Sequence, residues 1–167
     1  MSTKLHWVDG PWAGKLAMAA RPRGGDWLDD EVGSWRRGGI DTVVSLLTTE
    51  EEKDLDLAQE SRLARAQGMK FISFPIPDRQ VPSSQTEMAA IVERIDGELS
   101  AGRNVVVHCR QGIGRTGLVG ACLFVSKGTS PEKAVQTLSA ARGNPIPETD
   151  EQRRWIEHYA AILAGSK

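Results

Sequence analysis

The chain has 167 residues, 40% hydrophobic and 26% charged, with a net charge of −1. That balance fits one domain with a real core and gives no general pull toward nucleic acid or an anionic membrane. Its two cysteines, Cys109 and Cys122, are too few for a disulfide framework, and no run of eighteen apolar residues occurs, so a reducing cytoplasm is expected rather than secretion or membrane spanning.

Short apolar runs alternate with amphipathic ones along the chain. Residues 15–20 read as a first strand, broken by Arg21-Pro22-Arg23-Gly24-Gly25. Asp26 is expected to cap a helix with Leu28, Val32 and Trp35 at helical spacing, stopped by Gly38-Gly39 before a strand over residues 41–47. Thr49 reads as the cap of a helix whose first turn holds Glu50, Glu51 and Glu52, followed by a short helix over residues 61–67. Residues 69–74 are the next strand. Three prolines within residues 75–82 then exclude regular structure.

Ser83 or Ser84 caps a long helix with Met88, Ile91, Val92, Ile95 and Leu99 on its apolar face, ending at Gly102. Val105 to Val107 form a central strand, and Leu118 to Val125 begin a buried helix that runs to about residue 127. Ser130-Pro131-Glu132 starts another helix, with Ala134, Val135 and Leu138 inward, and a last one runs from Thr149 or Asp150 to Leu163. Without repeats or linkers, the pattern predicts one α/β domain over residues 1–167, a central and mostly parallel sheet flanked by helices.

The chemistry concentrates between the central strand and the buried helix. Gly112 and Gly114 free the backbone to aim successive N–H groups inward, and the next helix begins there with its positive end. The loop Arg110, Gln111, Gly112, Ile113, Gly114 is therefore expected to cradle a phosphate, with Arg115 closing the ring by a planar fork. Cys109 at the floor of such a cradle is expected to ionise below the free value of about 8.5 and to act as a nucleophile. The Thr116 hydroxyl is within reach of that sulfur as leaving group. The plainer alternative makes Cys109 a small buried hydrophobe at a strand end.

His108-Cys109, five residues, then Arg115-Thr116-Gly117 resembles the signature of the cysteine-dependent protein tyrosine phosphatase superfamily. The resemblance implies a cysteinyl-phosphate intermediate, no metal, no organic cofactor, and a general acid on a separate loop, at a position that Asp78 matches. His108 would support the nucleophile or, alternatively, be a satisfied strand-end histidine. Pro145 to Gln152 is similar to the loop that positions hydrolytic water in that superfamily. Gln152 matches its second glutamine, while Glu148 stands where the first is usual; alternatively Thr149 and Asp150 cap the last helix and Gln152 lies in its first turn.

The short chain carries no counterpart of the tyrosine-bearing segment of larger members; its one tyrosine, Tyr159, falls in the last helix. It therefore resembles compact dual-specificity and kinase-associated phosphatases, which implies action on phosphotyrosine and on phosphoserine or phosphothreonine of a protein or peptide; the oligomeric state is not read from the sequence, a monomer being expected. A phosphoinositide or nucleotide phosphatase and an idle phospho-binding module are the alternatives. His6, His108 and His158 have no metal-ligand spacing. Cys122 is expected in the core, and the rims around Arg79, Arg110 and Glu148 are expected to read the rest of a substrate.

Overall fold

Three successive valines with no polar alternation open a strand that is buried on both faces, and that strand sets the order of the rest. In the computed structural model, which describes residues 3–165, the strands are β1 (His6–Val8), β2 (Leu16–Ala20), β3 (Thr42–Ser45), β4 (Lys70–Ser73) and β5 (Val105–Cys109). They form one sheet in the order β1-β2-β5-β3-β4. β5 is parallel to β2 and to β3, β4 is parallel to β3, and β1 alone runs antiparallel at the edge. Val105 stands opposite Leu16 on one side and Thr42 on the other.

The helices are α1 (Leu28–Arg37), α2 (Thr49–Asp54), α3 (Glu60–Ala66), α4 (Gln85–Ser100), α5 (Gly114–Ser126), α6 (Pro131–Arg142) and α7 (Asp150–Gly165). Because side chains alternate across a strand, β5 feeds two cores. Val105, Val107 and Cys109 join the buried faces of α4 to α7, while Val106 joins Leu28, Val32, Trp35 and Ala64 of α1 and α3. The parallel strands all end at one rim of the sheet, and the loops after β2, β3, β4 and β5 meet there, the usual place for a site in such a sheet.

The predicted α/β architecture is the observed one, with differences at the ends of elements. β1 was not foreseen, since three residues give no readable periodicity. Asp26 does not cap: it lies inside a 3₁₀ turn, Gly25–Trp27, with no side-chain cap bond. The cap of α2 is Thr48 rather than Thr49, because Thr48 and Glu51 form a reciprocal capping box. α4 is capped by Ser84 and α6 by Ser130 with Pro131 first, as the residue types require. α4 ends at Ser100, two residues before Gly102, which takes φ +89° in the following turn. α5 starts at Gly114, so Arg115 already belongs to its first turn.

Candidate active site

β5 delivers Cys109 to the rim, 3% exposed, and the chain then turns back so that the Gly112 N–H donates to Cys109 Sγ at 3.3 Å. Gly112 has φ +75°, and a Cβ there would come within 2.5 Å of the backbone of Ala19 at the end of β2. Only glycine fits. Gly114 is closed differently, with the Glu148 and Gln152 side chains about 3 Å from where its Cβ would be. Ile113 packs partly into the core, while Arg110 and Gln111 are exposed. A cleft lined by Asp78, Arg79, Cys109, Arg110, Gln111, Gly114, Arg115 and Glu148 opens over the sulfur.

Arg115 is 1% exposed, and a buried guanidinium must be partnered on every side. Nη1 donates to Glu51 Oε1 at 2.6 Å and to the Ile76 carbonyl at 2.8 Å; Nη2 donates to Glu51 Oε2 at 2.9 Å and to Asp78 Oδ1 at 3.0 Å. Burial works to lower the guanidinium's pKa, but the Glu51 hydrogen bonds and the nearby Cys109, Glu51 and Asp78 charges raise it on balance. For Glu51 burial works upward, and the Arg115 and Thr48 hydrogen bonds hold its carboxyl below the usual range. The bidentate fork fixes the plane of Arg115 beside Cys109.

His108 points the other way from Cys109, as strand alternation demands. It is fully buried between Glu60, whose Oε2 lies 2.6 Å from His108 Nε2, and the Trp35 ring at 5.6 Å. His108 is not among the residues that line the cleft. The Thr116 hydroxyl is buried with no hydrogen-bond partner among the described residues, so the bond to Sγ expected from the sequence is not made here.

Gln152 lies in the first turn of the last helix, the plainer of the two readings of its segment. It forms a capping box with Thr149, its N–H donating to Thr149 Oγ1 and its Oε1 accepting from the Thr149 N–H, each at 3.1 Å. Its Nε2 donates to the Gln80 carbonyl at 3.1 Å. The side chain therefore tethers the loop that carries Asp78. A second tether is the ion pair of Arg79 Nη1 with Glu148 Oε2 at 2.9 Å. Arg79 itself adopts φ +62°, which sharpens the turn after Asp78.

The sequence reading missed Glu51 and Glu60. Both lie in acidic first helical turns, where the helix dipole alone accounts for a carboxylate, and their partners are 64 and 48 residues away. Cys122 is fully buried, and burial pushes its thiol pKa strongly up. Among the described residues no three His, Cys, Asp or Glu side chains gather as metal ligands, and no helix is long and apolar enough to cross a membrane.

Cyclin-dependent kinase inhibitor 3 of Sus scrofa is 33% identical over 128 residues, covering 75% of this chain and 60% of that protein. Its counterpart from Rattus norvegicus is 28% identical over 131 residues, covering 77% and 61%. The chain thus spans about 60% of the length of these curated relatives. Among solved structures, kinase associated phosphatase with its catalytic-site cysteine replaced by serine superposes with a TM-score of 0.90 at 22% identity, covering 98% of this chain and 97% of that one. Tk-PTP in its active form gives 0.78 at 25% identity, covering 94% and 96%. The family described as "Polymorphic toxin system, DSP-PTPase phosphatase" matches residues 17–129, and the chain belongs to that family of compact cysteine-dependent phosphatases.

Proposed function

We propose that the protein hydrolyses phosphomonoesters on phosphorylated proteins or peptides, through a phosphorylated Cys109. The observation that carries this reading is the convergence of Cys109 Sγ, the Gly112 N–H and the Arg115 fork on one cleft, with the Asp78 carboxylate 3.0 Å from Arg115 Nη2. A phosphoryl group entering the cleft takes the place of Asp78 on Nη2 and meets the inward amides of residues 110–114. The Cys109 thiolate attacks phosphorus, the ester P–O bond breaks, and Asp78, protonated from solvent once displaced from Arg115, gives that proton to the leaving oxygen. Water then attacks phosphorus with Asp78 taking a proton, the S–P bond breaks, and thiolate and inorganic phosphate are released. The orphaned Thr116 hydroxyl supports a role in donating to the sulfur as it leaves.

Hydrolysis of para-nitrophenyl phosphate by wild type and Cys109→Ser tests the reaction, with phosphotyrosine, phosphoserine and phosphothreonine peptides, a phosphoinositide and a nucleotide assayed beside it. Turnover by wild type in EDTA, its loss in Cys109→Ser and a preference for phosphopeptides are expected. Clean wild-type protein that binds phosphopeptides without hydrolysing any ester would make it a binding module instead.

A further inference from the structure

In a trans peptide the C=O of one residue and the N–H of the next point in opposite directions. Whatever holds the carbonyls of the cradle on its outside therefore aims its amides inside. Three consecutive carbonyls are held in this way. The Arg110 carbonyl accepts from the Arg21 N–H at 3.3 Å, the Gln111 carbonyl from Arg142 Nη2 at 3.0 Å, and the Gly112 carbonyl from Arg142 Nε at 3.2 Å. The amides tied to them are those of Gln111, Gly112 and Ile113. For the middle one the inward direction is visible, since it is the Gly112 N–H that reaches Cys109 Sγ.

We infer that Arg142 is a positioning residue whose two-pronged grip on the Gln111 and Gly112 carbonyls holds the cradle amides in the orientation that receives a tetrahedral oxyanion. It never touches the anion. Arg142 is the last residue of α6, where its charge suits the helix C-terminus and where Gly143, at φ +80°, ends the helix. α6 in turn lies close on α5, with Leu138 about 3.2 Å from where a Cβ on Gly120 would stand. Two adjacent helices thus bring two arginines to the cradle, Arg115 lining its cleft and Arg142 gripping its outer carbonyls. A lysine in place of Arg142 presents a point charge to one carbonyl at a time and has no fork for the pair.

This inference deepens the hydrolase reading and rests on it, but its test separates the two. Cys109 in the intact chain is alkylated with iodoacetate, whose carboxylate is drawn to an anion cradle, and with neutral iodoacetamide, for wild type, Arg142→Ala and Arg142→Lys. Cys109→Ser supplies the background, and near-UV circular dichroism the folded fraction. The iodoacetate-to-iodoacetamide rate ratio should fall about tenfold or more in Arg142→Ala and less in Arg142→Lys, and competitive inhibition by inorganic phosphate should weaken in parallel.

Millimolar guanidinium chloride should recover part of the ratio in Arg142→Ala by refilling the fork. Should Arg142→Ala not fold, the lysine variant decides alone. A wild-type ratio and wild-type phosphate inhibition in folded variants overturn the inference, as does a lost ratio that neither guanidinium nor lysine restores in part. A wild type that prefers iodoacetate yet hydrolyses no ester removes the hydrolase reading and leaves the positioning role standing.

Discussion

Arg115 spends four of its hydrogen bonds on the protein before any substrate arrives, and only the one to Asp78 reaches into the cleft. Asp78 is itself about half exposed, while Glu51 and the Ile76 carbonyl are enclosed. The Glu51 pair is therefore the framework of the site and the Asp78 contact its exchangeable part. Asp78→Asn is expected to lower kcat by about 10²–10⁴-fold and remove the basic limb of the pH–rate profile. Inhibition by inorganic phosphate should persist in that variant.

Glu51→Ala leaves a buried cation short of its main partner and should cost about 3 kcal/mol of stability, read from the midpoint of urea unfolding at unchanged slope. Cys109 and Arg115 could be placed together because glycines and residue type announce a cradle in sequence order, and Asp78 was singled out only through the resemblance to the superfamily's acid position. Glu51 was not. It has a sufficient local reason to exist in the Thr48 capping box, and nothing in the spacing says that the same carboxylate fills the plane of a guanidinium 64 residues on.

At the scale of elements, helix interiors followed from periodicity: Met88, Ile91, Val92, Ile95 and Leu99 of α4 are all buried as their spacing requires. Element ends followed less well, since Thr48 and Thr49 are equally good caps by type and only the hydrogen bonds choose between them. Gly112 shows an element end setting chemistry, because its left-handed turn is wedged against the last residues of β2. Gly112→Ala should lower kcat by about 10²-fold, the scale of losing one oxyanion donor, with the cleft distorted rather than the fold lost.

Glu98 shows an end holding elements together. Near the C-terminus of α4 it accepts from Thr42 of β3 at 2.6 Å, Lys70 of β4 at 3.0 Å and Arg103 at 2.9 and 3.0 Å. Burial favours its neutral form, but the Arg103, Thr42 and Lys70 bonds outweigh burial and take the pKa down to about 2. A carboxyl depressed in the folded state stabilises it fully above the unfolded pKa of about 4.3 and progressively less as pH falls toward the folded value. Unfolding curves between pH 5 and 2 should therefore be less pH-dependent in Glu98→Gln than in wild type.

Across the whole molecule, the loop that carries Asp78 is roped to the opposite wall by the Arg79–Glu148 pair and the Gln152–Gln80 bond. The ion pair is largely exposed, so Arg79→Ala should change global stability by less than about 1 kcal/mol. Its effect should instead be local: faster amide exchange across residues 77–82 and kcat lower by about two- to fivefold, with phosphate inhibition kept. The neighbouring strands of β5 could not be read from sequence, because strand order is a property of crossovers and not of any single apolar run.

That order has a consequence for the making of the chain. β2 and β3 have no hydrogen bonds to each other; both wait for β5, which is synthesised some sixty residues after β3 and slides between them. On a ribosome, the first hundred residues thus hold two halves of a sheet with a gap. The strand that fills the gap carries Cys109 at its tip, so that thiol emerges on the segment that completes its own shelter.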